Sequence, residues 1–155
     1  MLFRSATAAK PISRGTAERV LREFVDRMNA VNAAKEYAFK VKSAVLFGSI
    51  LSCADRLGDV DVAIDLRPRI SDSARFRQQC DRRRILAEER GRAFPTVIEW
   101  ATWPQKEVLL RLKARSRSLS LHEFDHLMEM ENLRYRILLG DASLIASRIP
   151  TGCAV

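Results

Sequence analysis

Residues 44–66 read AVLFGSILSCADRLGDVDVAIDL, and no other stretch constrains the fold as strongly. The apolar run Ala44 to Phe47 ends at Gly48-Ser49. Nine residues later Asp59-Val60-Asp61 opens a second apolar run. Both runs have the short, β-branched and aromatic character of buried strands. Side chains alternate faces along a strand, so Asp59 and Asp61 share one face and Val60 points the other way. Their carboxylates then stand roughly 6–7 Å apart by the rise of a strand. Like charges on one face repel, and burial raises the cost. A divalent cation removes that repulsion, and hard Mg²⁺ takes oxygen ligands.

Gly48-Ser49 supplies a complementary half. Glycine at a strand end admits a ligand close to the backbone. A turn or short helix over residues 49–54 offers backbone N–H groups and the Ser49 hydroxyl as a phosphate seat. Phosphates would sit at one edge, and the metals that neutralise them on the adjacent strand. In-line attack on the α-phosphate of a nucleotide needs this layout, with metals stabilising the attacking and leaving oxygens.

Phe47-Gly48-Ser49, the nine-residue spacer and Asp59-Val60-Asp61, flanked by apolar residues, together resemble the signature of the polymerase β-type nucleotidyltransferase superfamily. The chain's small size is similar to that of minimal prokaryotic nucleotidyltransferases, some of which act in toxin–antitoxin pairs. The resemblance implies metal-dependent transfer of an NMP from an NTP, ATP being the expected one, to a hydroxyl of RNA or tRNA, protein or a small molecule. Pyrophosphate would be released. It implies Mg²⁺ or Mn²⁺ on Asp59 and Asp61, phosphates on Gly48 and Ser49, and Arg56 within reach of the triphosphate. A partner toxin or antitoxin protein is a further implication. The family carries a third carboxylate on a later strand. Glu99, in Thr96-Val97-Ile98-Glu99-Trp100, is the candidate for this catalytic and metal-binding role, with Asp65 the alternative. Glutamate there departs from the family's aspartate. That departure supports a second reading, a non-catalytic module that binds nucleotide, RNA or a partner protein.

The net charge of +8 points to phosphate-rich partners. Cations cluster at Arg67-Pro68-Arg69, over 75–92 and over 111–117. No apolar run approaches the about 20 residues needed to span a bilayer. Three cysteines without paired spacing fit a reducing, cytoplasmic setting. The N-terminal stretch has no acid before Glu18 and lacks the apolar core of a secretory signal.

Periodicity predicts helices over 16–32, 71–92, 104–113 and 123–139, and strands over 42–47, 60–66, 96–101 and 118–122. Thr16 is the expected cap of the first helix. The alternation predicts an α/β (α+β) fold, a small mixed sheet of about four strands flanked by helices, which the resemblance makes a nucleotidyltransferase fold. Residues 1–15 read as a flexible N-terminus, 16–140 as the nucleotidyltransferase-like domain, and 141–155 as a C-terminal tail. Lys106, Arg111 and Lys113 read as a solvated helix face. His122 and His126 share a face but lack a third ligand for zinc. Trp100 and Trp103 read as packing residues, and Cys53 has no base partner to make it a nucleophile.

Overall fold

A computed structural model describes residues 10–149 and 153–155; the first nine residues of the expected flexible terminus lie outside them. In chain order the elements are β1 (Ile12–Ser13), α1 (Arg14–Ala33), β2 (Phe39–Phe47), a 3₁₀ turn (Ser49–Leu51), β3 (Arg56–Leu57) and β4 (Val60–Pro68). There follow α2 (Ser73–Glu89), α3 (Val97–Lys113), β5 (Leu119–Glu123), a second 3₁₀ turn (Phe124–Glu129), β6 (Arg134–Leu139), α4 (Ala142–Arg148) and β7 (Cys153–Ala154).

Five strands form one mixed sheet in the order β5-β4-β2-β6-β7, and β1 pairs with β3 in a separate ribbon. β2 runs antiparallel to β4 and β6, while β5 lies parallel to β4. This is the mixed α/β architecture expected from the sequence, with more strands. Val60, Val62 and Ile64 turn to a core shared with Phe24 and Met28 of α1 and Val108 and Leu112 of α3. Val45, Phe47 and Ala63 turn to the opposite face, closed by Phe124, Leu127, Ile145 and Ile149. Among the described residues no helix is long and apolar enough to cross a membrane.

α1 forms because Ala17, Val20, Phe24, Met28 and Val31 recur at helical spacing and bury one face. Its cap is Ser13, whose Oγ accepts the Thr16 N–H at 3.2 Å, and not Thr16 itself. Residues 12–15 therefore belong to the fold. At the other end, Ile145 and Ile149 are buried, so packing continues past residue 140.

Two predicted elements are different in kind. The expected strand over 96–101 is the first turn of α3. Thr96 caps it, accepting the Glu99 N–H at 3.1 Å. Its β-branched residues are not buried as strand residues would be: Val97 and Ile98 are 80% and 74% exposed. The expected helix over 123–139 is a 3₁₀ turn followed by β6. A left-handed Asn132 (φ 53°) separates the two, and Tyr135 pairs with Phe47 of β2 while Arg134 and Arg136 stay exposed.

Pro104 lies inside α3, where it leaves the Trp100 carbonyl without its helical donor. α2 replaces the missing bond. Arg84 Nε donates to Trp100 O at 2.9 Å, Nη2 to Ala101 O at 3.0 Å, and the guanidinium lies 4.0 Å above the Trp100 ring. Arg84→Met is expected to cost about 0.5–1.5 kcal/mol in urea unfolding, because Trp100 O and Ala101 O lose a hydrogen-bond donor. In a Pro104→Ala background the backbone N–H returns, and the cost should be clearly smaller. Equal costs in the two backgrounds would refute this account.

Candidate functional site

The site begins with the register of β2 on β4. Phe47 pairs with Asp61, so the residue after Phe47 lies over the Asp61 side chain. That residue is Gly48, with φ 82° and ψ −157°, a region essentially restricted to glycine. A Cβ at this position would stand 2.7 Å from Asp61 Oδ2. The chain then makes a single 3₁₀ turn, with Leu51 N–H on Gly48 O (3.2 Å) and Ser52 N–H on Ser49 O (3.0 Å). Gly48 and Ser49 are both exposed.

Arg14 braces this turn, a role the sequence reading missed. Its Nη1 donates to Ile50 O at 3.2 Å, and its Nη2 to Ser52 O at 2.6 Å and Ala54 O at 2.7 Å. One guanidinium thus closes the loop between the glycine and the carboxylates. The β1–β3 ribbon and the Arg14 N–H on Asp55 O (3.2 Å) hold the far end.

β5 completes the site. Its parallel register sets Ser120 beside Asp61, so Ser120 and His122 project from the carboxylate face. Ser120 Oγ donates to Asp59 Oδ2 at 2.5 Å. His122 Nε2 donates to Asp61 Oδ1 at 3.0 Å. The His122 ring meets Phe47 edge-on at 5.2 Å and stacks on His126 at 5.5 Å. The alternation of Ser118-Leu119-Ser120-Leu121-His122 already placed Ser120 and His122 on one strand face. The pairing of that strand with β4 is what brings them to the aspartates.

Glu99 is not part of this arrangement. It sits on α3, whose Val108 and Leu112 pack against the sheet face opposite Asp61, and its ion partner is Lys106 at 4.0 Å. Asp65, the alternative, is buried between Arg67 (2.9 Å) and Arg148 (2.7 Å). Arg56 is exposed on β3, and no ion pair or hydrogen bond of its side chain occurs among the described residues. Lys113 donates to Leu119 O at 2.6 Å. Trp103 is buried with Arg92 4.0 Å above its ring. Burial pushes the Cys80 thiol up from its usual range, while Cys53 is exposed on the loop.

Asp59 and Asp61 each have one oxygen bonded from β5 and one left free of such bonds. Asp61 is about one-fifth exposed. This donor set fits one Mg²⁺, which takes one or two carboxylates with water and substrate phosphate completing the shell. Among the described residues no group of three His, Cys, Asp or Glu side chains is placed to hold a metal. On the far side of His122 lies a groove of about 670 Å³, walled by Leu109, Leu110, Lys113 and Leu121.

Compared with protein-family models, characterised proteins and solved structures, the chain gives no match.

Gly48→Ala tests the geometry. Strain of this kind costs about 1–3 kcal/mol, and the new methyl group must also displace Asp61. The variant should unfold at lower urea. A crystal structure should show the Asp61–His122 bond broken or lengthened. Unchanged stability would contradict the close approach.

Proposed function

We propose that the chain binds a nucleoside triphosphate with one divalent cation at the Gly48–Asp61 corner and transfers its NMP to an acceptor hydroxyl. The hydroxyl oxygen bonds to the α-phosphorus, the bond to the bridging oxygen breaks, and pyrophosphate and a proton leave. The observation that carries this reading is the seating of a glycine-only turn directly on Asp61. A turn built solely for packing has no need of an exposed Gly-Ser against a solvent-accessible carboxylate.

Asp59 and Asp61 would hold the cation, which would neutralise phosphate charge and polarise the α-phosphate. Ser120 and His122 are positioning residues that keep the two carboxylates turned toward the corner. Gly48 lets phosphate oxygens reach the backbone, and Ser49 adds a hydroxyl donor. Arg14 keeps this turn in place before any ligand arrives.

One observation favours the non-catalytic alternative. Where the resemblance leads one to expect a third carboxylate beside the pair, β5 offers Ser120 and His122. The experiment that separates the two incubates purified protein with each α-labelled NTP and Mg²⁺, with total tRNA or a cell lysate. An Asp59→Ala/Asp61→Ala variant serves as the control. Transfer of label to a macromolecule by the wild type, reduced to background in the variant, is the expected result. Nucleotide binding without transfer under every condition would leave a binding module.

A further inference from the structure

A hinge of two successive left-handed residues, Ala114 (φ 46°) and Arg115 (φ 59°), leads the chain from α3 into β5. β5 is the outermost strand of the five-stranded sheet and pairs with β4 alone. Its backbone groups therefore divide between two sides. The Val60 N–H donates to Ser118 O at 2.8 Å, so the Ser118 carbonyl is turned to β4. Peptide groups alternate along a strand, so those of Ser120 and His122 turn the same way, and those of Leu119 and Leu121 turn outward. Lys113 of α3 meets the first outward carbonyl, its Nζ donating to Leu119 O at 2.6 Å. Leu121 has no such cover: among the described residues nothing bonds to its outward N–H or carbonyl. An open strand edge of this kind is a template for another strand.

The groove of about 670 Å³ runs along this edge. Leu121 of β5 lines it on the strand side, and Leu109 and Leu110 line it on the helix side; Leu110 is 48% exposed. A strand edge that faces a helix across an apolar groove is the arrangement that takes up an extended peptide. Main-chain bonds then supply affinity, and alternate side chains enter the groove.

Charge selects the kind of peptide. α3 lends the groove Lys106 and Lys113, one on each side of the two leucines in sequence, and no acid. Glu107 is engaged with Arg83 of α2 instead. Of the three acids in the lining, Asp65 is held by Arg67 and Arg148, and Asp125 by Arg148, which leaves Glu123 at the end of the strand. The chain as a whole carries a net charge of +8. An acidic segment is thus attracted both by the helix wall and by the field of the whole molecule.

We infer that the open edge of β5 docks an acidic, extended peptide segment of a partner protein. The segment adds as a further strand beside β5 and lays an aliphatic side chain among Leu109, Leu110 and Leu121. This docking uses backbone groups and apolar surface, and it does not depend on the nucleotidyl-transfer reading.

The test selects phage-displayed random nonapeptides on the full chain. Sequences that combine Asp or Glu with Val, Ile or Leu should be enriched. The most enriched peptide is synthesised with a fluorophore and titrated by anisotropy. Methylating its backbone nitrogens one at a time should abolish binding at alternate positions, because only every second N–H of an added strand faces β5. Leu110→Asp should weaken binding by about tenfold or more, the worth of one buried leucine side chain. Ile85→Asp, at an exposed apolar position of α2, should leave it unchanged. Both positions are exposed, so both variants should keep the wild-type unfolding midpoint. Lys106→Gln should weaken binding less and reduce its salt dependence. The inference is overturned if no acidic and aliphatic sequence is enriched, if methylation is tolerated at every position, or if the two Asp variants behave alike. A chain that is dimeric in sedimentation equilibrium, and monomeric as Leu110→Asp, would place a second copy on this edge and overturn the peptide.

Discussion

The antiparallel register that pairs Phe47 with Asp61 is the constraint on which the rest depends. A slip of one residue would turn every side chain of β4 to the opposite face. Val60, Val62 and Ile64 would then lose their core with α1 and α3, and Asp61 would enter it. The apolar cost of that exchange fixes the register, and the register seats the Gly48 turn on the carboxylate. A local feature of the site is thereby held by the packing of the whole sheet.

A second set of contacts transmits order from the helices to the site. α2 and α3 are joined by a bidentate pair between Arg83 and Glu107, at 2.8 and 2.9 Å, with both side chains largely buried. The hydrogen bond to Glu107 raises the Arg83 pKa above its ordinary value. Breaking such a pair leaves a buried charge alone, so it fixes how the two helices lie together. Arg84 mends the gap that Pro104 opens in α3. α3 in turn determines where the left-handed hinge begins and where β5 enters the sheet. His122 reaches Asp61 through that sequence of supports, although it is distant from Asp61 in the chain.

Part of this was legible in advance. The strands around Ala44–Phe47 and Val60–Leu66 announce themselves because both faces of each are buried, and continuous apolar runs record that burial. The helix over 16–32 shows its one buried face as a period. The stretch Val97-Ile98-Glu99-Trp100 misleads because its β-branched residues imply a strand while its fate is decided by the Thr96 cap and by packing farther along, at Val108 and Leu112. Glu99 follows its helix away from the carboxylates. The apolar residues over 123–139 carry a helical spacing only by joining two elements, a 3₁₀ turn and a strand, which the left-handed Asn132 separates. Arg14 left no local mark, and nothing local pairs His122 with Asp61, since their partners stand far off in the sequence.

The sequence by itself determined which residues meet at the corner: a glycine and serine after one strand and two aligned aspartates on the next. Strand alternation is a local property, and it suffices to place those carboxylates on one face. Only the tertiary structure decided what surrounds them. Alternation over 118–122 sets Ser120 and His122 on one face, and pairing of β5 with β4 brings that face to the aspartates. Packing of α3 on the opposite face removes Glu99. The distinction has one physical cause: covalent neighbours set periodicity, whereas non-local hydrogen bonds and burial set which strand lies beside which.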